Sequence, residues 1–248
     1  MFSRRPYPRH NRGRVSGGGS VFAPYALPNL TVNLEASAAQ LTLSTTSVDV
    51  WANQGSAADY TGTTTTRPVW NAGGGYVEFD GTDDYLQGGL QSAVLGVGGY
   101  SVYAVAYTVA ATTDTTTGWL NDTIVGDSSG NMAMGVTTAP ALRASHYDGA
   151  NKIATVARTN GVFQLVEQHI YSGNLYAAVN GTVSAGTAVG AFAIAGSSQV
   201  GLNQTTASRA WNGRLKRLLV FKDGGHNPSG ATAVAIRTAL NAEYSLGF

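Results

Sequence analysis

The feature that most constrains this chain is its punctuation. From Leu27 onward, short runs of β-type residues alternate with Gly, Asn, Asp and Thr: LTVNLEA, VDVW, RPVW, YVEFD, YSVYAVAY, DTIVGD, NMAMGV, ALRASHY, KIATVAR, VFQLVEQHIY, NLYAAVNG, SQVGL and GRLKRLLVFK. About a dozen such runs are enough for two packed sheets, and a strand with one apolar face is stable only when that face is buried against another layer. Gly fills 32 of 248 positions and charged residues only 12%, which favours turns and strands over long surface helices. The expected class is all-β.

Two segments refine this. In Tyr100 to Tyr107, Val102, Ala104 and Ala106 alternate with Tyr103, Val105 and Tyr107, so both faces are apolar and the strand is expected centrally, covered on both sides. The β pattern breaks once, where Ser229 can cap a helix over Ala231 to Tyr244. There Ile236, Leu240 and Tyr244 recur every fourth position, and Gly247 lies just beyond. One terminal helix should pack on the sandwich. The pair Asn180-Gly181 suits a type I′ hairpin turn, Gly213 a bend or close approach, and Asp223-Gly224 a strand end. The Thr-rich stretches 61–66 and 112–117 read as loops.

Charge divides the chain unevenly. Residues 1–20 hold Arg4, Arg5, Arg9, Arg12 and Arg14 without an acid, leaving 10 of the 15 bases against 14 acids, so the arm is +5 and the body −4. With little apolar content before Val21, residues 1–26 are expected to form a basic extended arm with a glycine hinge at Gly17 to Gly19, and residues 27–248 one domain. Such an arm, with Tyr7 among its arginines, suits a groove on a protein partner; specific nucleic-acid binding is not expected, because the body is not basic. No cysteine occurs, so disulfides and thiolate metal sites are excluded. Neither a membrane anchor nor a secretory signal is expected.

The order LPNLTVNLEAS, VDVWANQG, RPVW, YVEFDGTDDYL, YSVYAVAY, FQLVEQHIYSGNLYAAVNG, SQVGLN and WNGRLKRLLVFKDG, closing on the helix, resembles the concanavalin A-like (laminin-G-like) jelly roll over residues 27–248. That family includes lectins, glucanases and many virus-tail and capsid proteins. The resemblance implies a two-sheet antiparallel jelly-roll sandwich; its activities are too varied to transfer with the fold.

Four carboxylates, Glu78, Asp80, Asp83 and Asp84, crowd the stretch VEFDGTDDYL. Glu78-x-Asp80 begins like the E-x-D-x-E strand of laminarinase-type enzymes, but the next same-face position is Thr82 and Gly81 ends the strand, so no catalytic residue is assigned. A calcium ion would need six to eight oxygens and is the minor reading; no cofactor is expected. The favoured reading is a strand and turn, with Val77 and Phe79 inward, the acids facing water, and Tyr85 and Leu86 returning to the core. His10, His146, His169 and His226 lie far apart, without metal-ligand or triad spacing. Trp51, Trp70 and Trp211 read as core residues; Trp119 and Tyr147 are the candidates for stacking on a sugar or anchoring a protein contact, with core packing equally open for Trp119. Arg209, Arg214, Lys216 and Arg217 could form a basic patch, as Lys222 extends it.

Together these features lead to an expectation of a non-enzymatic bacteriophage virion protein. Its first form is a capsid decoration protein that docks on a major capsid or tail protein through its arm, within a homo-oligomeric assembly. The alternative is a glycan-binding tail or fibre module directed at a host surface polysaccharide, and the third reading is a glycan hydrolase.

Overall fold

In a computed structural model of the chain, residues 22–96, 98–109, 122–190, 195–202 and 210–248 are described. They form an antiparallel β-sandwich with one long helix, the class the punctuation predicts. The first sheet holds β1 (Leu30–Glu35), β5 (Val69–Asn71), β6 (Tyr76–Asp80), β8 (Tyr100–Thr108), β13 (Phe163–Tyr171), β14 (Asn174–Val179) and β18 (Asn212–Phe221). Here β18 is central: β8 pairs along one edge, while β6 and then β1 pair along the other. The sheet continues through β13 to β14, where Asn180 and Gly181, both at positive φ, turn the chain into β15 (Thr182–Val183) as that dipeptide predicts; β16 (Thr187–Ala188) also pairs with β14.

The second sheet runs in the order β4 (Tyr60–Thr61), β7 (Leu86–Leu90), β17 (Ser197–Val200), β9 (Thr123–Asp127), β10 (Met132–Val136), β11 (Ala141–Tyr147) and β12 (Asn151–Ala157). A hairpin of β2 (Leu41–Ser44) and β3 (Ser47–Trp51) joins the two, because β3 pairs with β4 of one sheet and β5 of the other. The inner faces share a core in which Val102, Ala104 and Leu218 of the first sheet meet Met134, Leu142 and Val200 of the second. Trp51 and Trp211 are fully buried in it, and Trp70 packs partly buried against it.

A third layer covers part of the outer face of the first sheet. Helix α2 (Ala231–Tyr244), which follows the short α1 (Gln91–Leu95) in chain order, places Ile236 and Leu240 on Tyr103, Val105, Leu165, Leu219 and Phe221. Burying each aliphatic side chain contributes roughly 1.5–3 kcal/mol, so this stripe holds the helix to the sheet. Its bounds match the four-residue periodicity, but the cap does not: Gly230 occupies the N-cap, with no side-chain hydrogen bond, instead of Ser229. Phe22, Tyr25 and Leu27 pack beside α2, so the folded body already includes Phe22 and Tyr25, residues that composition places in the arm.

Candidate functional site

The outer face of the first sheet is shaped by one irregularity in β18. Strict alternation would put Arg214, Lys216, Leu218 and Val220 on one face. Instead the register with β8 slips between Leu215 and Arg217, making Lys216 the extra residue of a β-bulge. Leu215, Leu218 and Val220 therefore enter the sandwich core, while Leu219 and Phe221 pack in the outer cluster under α2. Arg217 faces outward too, opposite Glu35.

Beyond the reach of α2, no described segment packs over the face, which carries a row of partly exposed, directly opposed residues from five successive strands: Val69, Glu78, Arg214, Tyr107 and Phe163. Arg214 Nε donates to Glu78 Oε1 at 2.8 Å, and its guanidinium carbon lies 4.9 Å from the ring centroids of both Tyr76 and Tyr107. That hydrogen bond raises the Arg214 pKa further above its ordinary value. No acceptor among the described residues takes its two terminal nitrogens. Lys216 Nζ stands 4.5 Å over the Phe163 ring, whose centroid is 5.4 Å from Tyr107 and 6.1 Å from Tyr76. Asn71 Nδ2 donates to Tyr76 Oη at 2.9 Å. Half-buried rings beside free N–H donors form an amphipathic platform, suited to a ligand with both apolar C–H faces and hydroxyl groups.

Under α2 the same face is closed. Arg237 Nε and Nη2 each donate at 2.8 Å to the two oxygens of Glu167, which is fully buried, and Arg237 Nη1 donates to the Pro228 carbonyl at 2.6 Å. Glu167 Oε2 also lies 3.0 Å from His169 Nε2, and His169 Nδ1 lies 2.9 Å from Ser101 Oγ. With the carboxylate accepting from Nε2–H, Nδ1 accepts the Ser101 hydroxyl, whose oxygen takes the His226 backbone N–H at 2.6 Å. Burial, then His169, push the His226 pKa down to about 4, so its neutral ring accepts at Nδ1 from Tyr103 Oη at 2.9 Å. The histidines, which lie far apart in the sequence, are partly convergent in the fold: His169 and His226 meet through Ser101. This serine–histidine–glutamate chain has a triad's composition, but Ser101 and His169 are at 0% exposure, so no substrate atom reaches the hydroxyl; it clasps the helix to the sheet.

The acidic stretch forms the strand and turn expected of it. Val77, Phe79 and Leu86 are buried, and Gly81 turns at φ +78°. One expectation is corrected: Asp84 does not face water. It is 8% exposed, and its Oδ2 accepts the Asp80 N–H at 3.0 Å. Burial raises its pKa to about 7; that hydrogen bond opposes the rise, and the charges of Asp80 and Asp83 add to it. Carboxylate oxygens of Asp80, Asp83 and Asp84 lie within 4.8 Å of one another, so these are the residues that could hold a cation. Three ligands fall short of a calcium shell, and Asp80 Oδ1 already receives the Thr82 N–H at 2.7 Å.

Of the residues singled out in the sequence, Arg4, Arg5, Tyr7, Arg9, Arg12, Arg14, Trp119 and Arg209 lie outside the described residues. Tyr147 is 40% exposed at the end of β11, on the second sheet and away from the row. Arg214, Lys216 and Arg217 do not make a common exposed patch, which corrects that expectation. Arg217 is 2% exposed, paired with Glu35 at 3.0 Å and set 4.0 Å from the Tyr25 ring centroid, whereas Arg214 and Lys216 belong to the open row. Tyr76, Tyr107 and Phe163 were not singled out in the sequence. Each sits in a strand-like run as a core aromatic would, and only the cross-strand register brings them together.

No protein-family model and no curated protein matches the sequence. Solved structures do match. A Trypanosoma rangeli sialidase, in complex with a difluorinated keto-deoxy-nononic acid, superposes with a TM-score of 0.63 at 12% identity over 98% of this chain and 36% of the sialidase. Domain 4 of AbnA, a GH43 extracellular arabinanase from Geobacillus stearothermophilus, in complex with arabinotriose, gives 0.51 at 16% identity over 84% of this chain and 98% of that domain. The binding domain of botulinum neurotoxin serotype D/C gives 0.54 at 10% identity, over 84% and 52% of the two chains. At these identities the likeness is one of fold, and the chain spans about a third of the sialidase's length. The expectation of a non-enzymatic protein is overturned by these matches, because similar sandwiches occur in sialidase and arabinanase chains. The lack of an E-x-D-x-E strand thus does not place this chain apart from enzymes.

Proposed function

We propose that the chain is a carbohydrate-binding β-sandwich module of the concanavalin A-like, laminin-G-like type, and that its binding surface is the open half of the first sheet's outer face. The observation that carries this reading is the in-register row Val69–Glu78–Arg214–Tyr107–Phe163, flanked by Tyr76 and Lys216. Sugars offer C–H faces to aromatic rings and hydroxyls to charged groups, and the row presents both. The arabinotriose-bound arabinanase domain, matched over 98% of its length, supports the reading as a sandwich of this fold seen with an oligosaccharide. The test is a glycan array followed by calorimetry on any hit. Tyr107→Ala and Arg214→Ala should each weaken binding about tenfold or more without changing the melting temperature by more than a few degrees. An array with no hits, or a hit indifferent to both substitutions, would sink it.

A virion role remains a second proposal, resting on the five arginines of residues 1–20 against a body of net charge −4. On that reading the arm docks the module on a capsid or tail protein. Removing residues 1–20 should then abolish incorporation into particles while the sandwich stays folded.

A further inference from the structure

We infer that the end of the sandwich between β12 and the β14–β15 turn holds a binding pocket for a small oxyanion, a carboxylate or sulfate group. A shallow, open cavity of about 240 Å3 lies there, lined among others by Arg158, Thr159, Gln164, Asn180 and Thr182. Arg158 is 8% exposed, yet no carboxylate of the described residues lies within ion-pair distance. Its guanidinium reaches only neutral oxygens, the Thr159 carbonyl at 3.5 Å and the Asn160 side-chain amide, and its Nε has no acceptor. A buried guanidinium without a carboxylate in direct contact is costly, and an anion beside it offsets that cost. Burial pulls its pKa down to about 10, only partly offset by Asp122, which does not line the cavity. The group therefore stays charged at neutral pH.

The rest of the lining is arranged to donate. Gln164 Oε1 is occupied by the Thr159 N–H at 3.0 Å, and Asn180 Oδ1 by the Leu165 N–H at 2.9 Å. Each amide is thereby oriented with its NH2 group left to give, and the Thr182 hydroxyl adds a further donor. Among the described residues, no acidic one lines the cavity. A guanidinium with no ion-pair partner among the described residues, set among amide and hydroxyl donors, is the chemistry that selects an oxyanion, through the planar fork of arginine. The pocket is distinct from the aromatic row, because Gln164 pairs with the core residue Ala106 whereas Phe163 faces outward. It does not depend on the glycan reading.

The test is an amide NMR titration of the whole chain at neutral pH and constant ionic strength with acetate, glucuronate and inorganic sulfate, with chloride as reference. Saturable shifts confined to the Thr159, Gln164, Asn180 and Thr182 signals are expected at concentrations up to roughly 50 mM, the range of single-anion affinities. Tighter binding of glucuronate than of acetate would identify an acidic sugar as the source of the anion, and equal binding a free small acid; either supports the pocket. Arg158→Gln should weaken the response about tenfold or more. Should that variant not fold, Thr182→Val, an exposed substitution, should still weaken binding by about threefold through one lost hydrogen bond. The proposal is overturned if none of the anions produces saturable shifts at these residues, or if the folded variant responds as the parent does.

Discussion

Glu167 has no exposed surface, and both its oxygens are committed, to Arg237 across 70 residues of sequence and to His169 on its own strand. Replacing one member of such a pair strands the other as an uncompensated buried charge, so Glu167→Gln should cost about 3–5 kcal/mol in urea unfolding. The double variant Glu167→Leu/Arg237→Met should recover much of that loss, and failure to recover would mean that the clasp acts through more than charge. Asp84 gives the opposite kind of prediction. Its folded pKa, about 7, lies above the ordinary 3.8, so the fold holds the extra proton between these values. Its contribution to stability is complete below pH ~4 and declines as pH rises towards ~7. His226, whose pKa is depressed to about 4, works against that trend by destabilising the fold as pH falls below its ordinary 6.5. Asp84→Asn should therefore gain on the order of 4 kcal/mol relative to the parent at pH 8 and nothing at pH 4. An equal difference at both values would show that Asp84 does not titrate this way. The sequence shows that Asp84 is acidic. Its surroundings are set by a segment remote in sequence, since a Cβ added at Gly201 would collide with the Phe79 ring and lie 2.9 Å from the Asp84 carbonyl.

At the scale of an element, β18 is the most instructive. The run GRLKRLLVFK is legible as a strand from its composition, but not the phase change at Lys216 that sends Leu218 inward and Leu219 outward. A bulge is one residue more than its partner strand needs, and the partner's length is not written in the strand itself. Removing Lys216 leaves Leu215 and Arg217 opposite Ala106 and Val105 with the inward set intact, at the loss of the Ala36 N–H bond to the Lys216 carbonyl. That deletion should cost about 1–2 kcal/mol, whereas deleting Leu219 flips Val220 and Phe221 to the wrong faces and should abolish the cooperative melt followed by circular dichroism. Equal damage from the two deletions would refute the bulge as the phase-setting device. Helix α2 shows the other case: its periodicity marks its bounds, because a helix writes its buried stripe locally.

Across the whole molecule, the third layer decides what the first sheet can do. Helix α2 and the Phe22–Tyr25 segment close one half of the outer face, and the other half is left with Tyr107, Phe163 and Arg214 in reach of solvent. Relative to a chain beginning at Phe22, one beginning at Leu27 should lose about 2 kcal/mol with the packing of Phe22 and Tyr25. Equal melting of the two truncations would show that this segment adds nothing to the fold. The sequence by itself determined the class, the approximate strands, the hairpin at Asn180-Gly181, the terminal helix and the core tryptophans Trp51 and Trp211. All of these follow from local periodicity and local turn chemistry. Only the tertiary structure decided that Asp84 is buried, that Arg217 is sealed beside Tyr25, that His169 and His226 meet through Ser101, and that three aromatics join Arg214 on one open face. These depend on register and on pairing between strands remote in sequence. In a chain whose side chains alternate faces every residue, a single extra residue is enough to change which of them meet.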